Sequence, residues 1–188
     1  MDALNLANAS KTTARRALDF YPTPPEVTHA LMRFLNLKDI HLAWEPACGD
    51  GSMSDVIKEY VPEVYSSDIE NRGYGDEGID FLTCGYHCDA IITNPPFNLS
   101  EEFIKHALAH SDTVCMLLKS QYWHAKKRTK LFKDHPPAYV LPLNWRPDFL
   151  YKEQCKSGAP TMEVHWTVWL NGASQTQYCI LEKPEYSE

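Results

Sequence analysis

The chain has 188 residues, 44% hydrophobic and 23% charged, with a formal net charge of −7. Length and composition fit a soluble globular protein with one sizeable core rather than two independent domains. They exclude a membrane-spanning protein, since no apolar run is long enough to cross a bilayer, and the acidic total weighs against binding nucleic acid through bulk charge alone.

Residues 1–19 lack periodicity and are expected to form a flexible arm. Met1 to Arg16 has no apolar core of a secretion signal, so cytoplasmic residence is expected. Thr23-Pro24-Pro25-Glu26 predicts a helix start, with Thr23 as cap, Pro24 in the first turn and Glu26 completing a capping box. Val27, Leu31, Phe34 and Leu35 then share a helical face up to about Leu37. A strand is expected over 41–45, ended by Pro46 and the turn at 49–51, then a helix over 52–60 and a strand over 64–68. Further strands are expected over 89–93 and 113–118, with a helix over 100–110 between them and a basic helix over 121–133 after them. The last three strands, 139–143, 163–170 and 177–181, have no helices between them.

This alternation predicts a three-layer α/β/α sandwich around a mainly parallel sheet, finished by antiparallel strands at one edge. A ligand site is expected beyond the carboxyl ends of the first and fourth strands, where the strand order reverses. Two motifs fall there. The first, Glu45-Pro46-Ala47-Cys48-Gly49-Asp50-Gly51, joins a strand to a helix, and its glycines allow a tight turn and close approach to a ligand. It lacks the third glycine of the dinucleotide fingerprint, which disfavours a pyrophosphate cofactor. Asp68, followed by Ile69, ends the next strand where such folds grip ribose hydroxyls. Asp80-Phe81 then offers a carboxylate and a ring suited to an adenine. Singly these acids fit solvated strand ends; in this order they point to a nucleoside-bearing cofactor.

The second motif, Asn94-Pro95-Pro96-Phe97, closes the apolar run at 89–93. Asn94 offers an amide oxygen, the prolines fix the backbone, and Phe97 gives a flat apolar face. Together they suit a planar amino group; the same residues also fit a plain strand-ending turn. Six of the 18 basic residues, Lys119, Lys126, Lys127, Arg128, Lys130 and Lys133, cluster in one stretch. They read either as a solvated face or, for the first four together with Arg146, as phosphate contacts. The six cysteines form no disulfide framework. Cys84, His87 and Cys88 suggest a metal corner, but no second pair at zinc-finger spacing completes it, so no metal is expected.

Taken in order, the stretch from Phe20 to Pro25, the loop 46–51, Asp68, Asp80-Phe81 and Asn94–Phe97 resemble S-adenosylmethionine-dependent methyltransferases of the N6-adenine type. The small stand-alone enzymes of phages and prophages are the nearest likeness. The specific motifs cover about residues 20–97, with looser likeness at Leu117–Lys119, Arg146–Phe149 and Trp166–Trp169. The resemblance implies a Rossmann-like class I methyltransferase sheet of seven strands whose last strands form a reversed pair. It implies S-adenosylmethionine as cofactor, with Tyr21, Thr23 and Pro24 flanking its methionine moiety and Gly49 and Gly51 passing beneath it. Glu45 or Asp50 would lie near its amino end, Asp68 at its ribose and Asp80 at its adenine. The expected reaction is direct methyl transfer to adenine N6 in DNA, in a bacterial or phage-infected cytoplasm. Asn94 and the Pro95 carbonyl would grip the amine and Phe97 would stack on one face of an extruded base, with Trp145 or Phe149 closing the other.

Residues 144–162 are the only obvious insertion for substrate recognition, and the chain shows no large recognition domain. A partner subunit, a homodimer or relaxed specificity therefore stay open. So do RNA adenine or protein glutamine as the methylated group, and a catalytically silent subunit that kept the fold.

Overall fold

Strand side chains alternate between two faces of a sheet, and here the alternation divides the core into two layers. Along β4 (Ala90–Thr93), Ile92 packs with one cluster and Ile91 with the other; along β5 (Thr113–Lys119), Cys115 and Leu117 face one way and Val114, Met116 and Leu118 the other. Helices α1 (Pro25–Phe34) and α2 (Ser52–Ile57) cover the first side through Val27, Leu31, Met53 and Ile57. Helix α3 (Ser100–Leu108) covers the second through Phe103, Ile104 and Ala107, joined by Leu131 of the short helix α4 (Thr129–Asp134). The result is the expected α/β/α sandwich. The structure, a computed structural model, describes residues 20–152 and 162–185. The expected arm at 1–19 and residues 153–161 of the expected insertion lie outside the described residues.

The remaining strands are β1 (Leu42–Glu45), β2 (Glu63–Asp68), β3 (Asp76–Glu77), β6 (Tyr139–Pro142), β7 (Val164–Leu170) and β8 (Gln177–Tyr178). Their order across the sheet is β3-β2-β1-β4-β5-β7-β6-β8. The pairs from β3 to β5 are parallel, and β7 runs antiparallel to both β5 and β6. Chain order reverses between β1 and β4, so their carboxyl ends open a crevice. The strand beyond the expected seven is β3, two residues pairing with the end of β2. The strand expected over 177–181 keeps only Gln177–Tyr178, followed by a single bridge from Leu181 to Leu143.

Two local expectations give way. Thr23 does not cap α1: Pro24 holds the cap position with no side-chain cap, Pro25 occupies the first turn, and the capping box is absent. The single basic helix over 121–133 breaks into 3-10 turns at Ser120–His124 and Lys126–Arg128 before α4. Side-chain anchoring explains the break. Tyr122 is buried, and the Arg128 guanidinium packs over its ring at 3.8 Å while donating to the Tyr122 carbonyl at 2.7 Å. Trp123 stacks on Phe132 at 3.9 Å and donates its indole N–H to His165 Nε2 at 2.9 Å. A continuous helix would need that carbonyl for its own ladder. No helix among the described residues is long and apolar enough to cross a membrane.

Candidate active site

The loop after β1 owes its shape to positive-φ glycines. Gly49 sits at φ +56° and Gly51 at +82°, where a side chain is strained. A Cβ at Gly49 would come 2.2 Å from the Phe20 ring, and one at Gly51 2.3 Å from the Tyr74 ring. The space over each glycine is thus filled by one of the protein's own rings. The Gly49 N–H donates to Asp68 Oδ2 and the Glu70 N–H to Asp68 Oδ1, both at 2.9 Å. Asp68, 8% exposed at the end of β2, thereby ties the glycine loop to the neighbouring strand.

These elements enclose a cavity of about 500 Å³ at the carboxyl ends of β1, β2 and β4. Of the residues expected to hold a cofactor, Tyr21, Thr23, Glu45, Ala47, Cys48, Asp50, Asp68, Ile69, Asp80 and Phe81 line it; all of Asn94–Phe97 lines it too. Pro24, Gly49 and Gly51 do not. Asp80 accepts from the Leu82 N–H at 3.0 Å and so starts the 3-10 turn Phe81–Thr83. Phe81 is 2% exposed and wedged against Trp44 and Phe103, with ring centroids 5.0 and 4.7 Å away. It contributes one edge of the wall rather than an open face.

The two acids at the methionine-end candidates are shifted in opposite directions. Burial pushes the Glu45 carboxyl well above its ordinary value, and hydrogen bonds from Ser54 offset only part of that. For Asp50, burial acts upward, but hydrogen bonds from Lys152 and Ser52 and the Lys152 charge prevail and hold it below the usual value. Lys152 Nζ lies 2.6 Å from Asp50 Oδ2 and 2.7 Å from Ser52 Oγ. Burial also pushes the Cys48 thiol up to about 12, so it is no nucleophile near neutral pH.

At the tetrapeptide, Asn94 Nδ2 donates to Thr23 Oγ1 at 3.2 Å. The Pro96 carbonyl accepts from the Leu99 N–H at 2.9 Å and from Ser100 Oγ, pinning the turn into α3. Lys119, at the end of β5, holds its ammonium 3.6 Å from the centroid of the Phe97 ring. Tyr21 stands over the same ring, centroid to centroid 6.1 Å. Trp145 and Phe149 do not line the cavity. Phe149 is 5% exposed in the core, edge-on to Tyr21, and Trp145 packs against the same core. Neither ring is thus placed to close the second side of the cavity, because the apolar demand of the core takes both. Arg146 pairs with Glu163 at 2.7 Å, both largely exposed. Lys126 and Lys127 are exposed on a 3-10 turn, while Arg128 is partly buried against Tyr122.

Several lining or bordering residues carry no sequence signal, Phe103, Arg72 and Lys152 among them. Phe103 comes from the helix after the tetrapeptide. Arg72 lines the cavity with its guanidinium 4.2 Å over the Phe20 ring. Lys152 reaches Asp50 across 102 positions of sequence, a pairing for which no local pattern gives a signal. Among the described residues no group of three His, Cys, Asp or Glu side chains is placed to hold a metal ion.

No protein-family model matches the chain, and no curated protein matches it in sequence. Solved structures do match in shape. The methyltransferase subunit of a type I restriction-modification system from Streptococcus thermophilus aligns at a TM-score of 0.63 and 10% identity, over 85% of this chain and 47% of its own. The 23S rRNA methyltransferase ErmE aligns at 0.54 and 12% identity, over 81% and 70%. A magnesium protoporphyrin IX methyltransferase from Synechocystis, solved with S-adenosylmethionine bound, aligns at 0.52 and 16% identity, over 77% of each chain. The chain spans about half the length of the restriction-modification subunit. At these identities the likeness defines the fold: this is a Rossmann-like class I methyltransferase fold with a mixed sheet.

Proposed function

We propose that the protein is an S-adenosylmethionine-dependent methyltransferase acting on the exocyclic N6 amine of adenine in DNA. One observation carries the reading: a single cavity is lined both by the acids that follow β1 and β2 and by Asn94–Phe97. A cavity of about 500 Å³ is of the size that encloses a small cofactor. Asp68 is well placed for a ribose, since its carboxylate is fixed by two backbone N–H groups at the end of β2. Asp80, which lines the same cavity, is assigned to the adenine. Asp50, whose hydrogen bonds from Lys152 and Ser52 favour the carboxylate, suits the cofactor's amino group better than Glu45, whose burial favours the neutral form.

S-adenosylmethionine, when bound, would supply the methyl group, the amine lone pair forming the nitrogen–carbon bond as the carbon–sulfur bond breaks onto sulfur and the surplus amine proton passes to solvent. The chain's part is to make a poor nucleophile competent. Asn94 Oδ1 and the Pro95 carbonyl accept the two N–H bonds, favouring a pyramidal nitrogen whose lone pair is free, and stabilise the positive charge that develops there. Phe97, whose ring carries the Lys119 ammonium on one face, would offer the other face to the base and fix the approach. No strong base is required before attack. In a duplex the adenine must leave the stack to reach such a pocket. Lys119 beside Phe97 and the exposed Lys126 and Lys127 are assigned to phosphates; a homodimer or partner subunit would add recognition surface.

The deciding experiment supplies labelled S-adenosylmethionine with DNA, RNA and protein in parallel and digests the nucleic acids to nucleosides. Label in N6-methyldeoxyadenosine is expected. Label confined to RNA or to protein glutamine would overturn the choice of substrate, and none anywhere would leave a silent cofactor-binding subunit.

A further inference from the structure

The contact between Thr23 and Asn94 assigns a role to Thr23 that the sequence motif does not. A primary amide has two ends of nearly equal size, one accepting and one donating. Which end faces the cavity decides whether the site takes an amine or a carbonyl. Thr23 Oγ1 accepts from Asn94 Nδ2 at 3.2 Å, within the range of a real hydrogen bond. With Nδ2 engaged there, Oδ1 is the end left for a ligand.

The backbone keeps the threonine where this contact needs it. Thr23 lies between Pro22 and Pro24, each with a ring-fixed φ, and is 4% exposed. Because Pro24 holds the cap position of α1 without a side-chain cap, the Thr23 hydroxyl is not spent on the helix start. The geometry points to Thr23 as a positioning residue that locks the Asn94 amide at the cavity wall, leaving its oxygen for the substrate amine. This rests on the methyltransferase reading above and deepens it.

The test compares Thr23→Val, which keeps the shape and removes the acceptor, with Thr23→Ser, which keeps both hydroxyl and donor-acceptor chemistry. Thr23→Val is expected to lower kcat about 10- to 100-fold at saturating S-adenosylmethionine, the scale of a lost buried hydrogen bond; Thr23→Ser is expected to restore kcat. A weaker cofactor Kd with kcat retained, or a Thr23→Val enzyme as fast as the wild type, overturns the assignment. A readout independent of turnover accompanies it. In the 15N-labelled wild-type protein, one Asn94 side-chain amide proton should exchange with solvent more slowly than its partner. If both exchange like those of an exposed asparagine, the lock does not exist, whatever the activity. If the proton is protected but no amine is methylated, the functional reading falls while the Thr23–Asn94 geometry stands.

Discussion

Around the carboxyl ends of β1 and β4, side chains from distant parts of the chain converge on one cavity, and most carry fixed partners: Asp68 holds two backbone N–H groups, Asn94 holds Thr23, Asp50 holds Lys152. Beside it, the stretch from Lys119 to Lys133 has charge but less fixed structure. Its helix is broken into turns, Arg128 is turned inward to Tyr122, Lys130 pairs with Asp134 at 2.5 Å on the surface, and Lys126 and Lys127 reach into solvent. The difference teaches where function is expected to be sensitive. Preorganised dipoles in a walled cavity act at nearly full strength, whereas exposed charges act weakly, collectively and through salt.

The sharpest way to break this contrast is Asn94→Ala. It should cut methyl transfer by about 10²- to 10³-fold while cofactor affinity, read by calorimetry, stays put. Normal turnover in that variant would place the chemistry elsewhere.

A smaller effect comes from His165 on β7, which anchors the basic stretch through Trp123. Burial lowers its pKa from 6.5 to about 4, and it accepts the Trp123 indole N–H. With the folded value below the unfolded one, its contribution to stability is present above about pH 6.5 and is lost progressively as pH falls to about 4. The full loss is on the order of 3 kcal/mol. Urea titrations followed by tryptophan fluorescence should therefore show wild type losing more stability between pH 7 and 4 than His165→Gln. Parallel pH curves for the two proteins would contradict that account.

Smallest is charge reversal at Lys126 and Lys127. DNA affinity should weaken severalfold, and the salt slope should flatten by roughly one unit for each phosphate left without its lysine. Unchanged affinity would mark these lysines as a solvated face.

The same contrast explains what the sequence disclosed. Parallel strands announce themselves as short apolar runs, and the two motifs at 45–51 and 94–97 sit where strand order places a crevice, so the three layers and most of the cavity wall could be read from residues alone. Side-chain redirection could not. Thr23 has the letters of a helix cap, yet its hydroxyl goes to Asn94. The 121–133 stretch has helical composition, yet Tyr122, Trp123 and Arg128 are held by tertiary partners that outweigh propensity. Gly49 and Gly51 read as a ligand cradle, and their α-carbons are instead covered by Phe20 and Tyr74. Phe149 and Trp145 read as base-stacking rings, and the core claims them. Most of these misses depend on a residue far along the chain, which no local pattern encodes; the Arg128–Tyr122 contact, six positions apart, is the exception.

The central claim is that the methyl donor and the amine grip face each other in one cavity. Binding S-adenosylmethionine labelled with 13C at its sulfonium methyl and recording NOEs to the protein tests it directly. The account predicts NOEs from that methyl to the Phe97 ring and the Asn94 side chain; NOEs to neither in a saturated complex, or no binding at all, would contradict it.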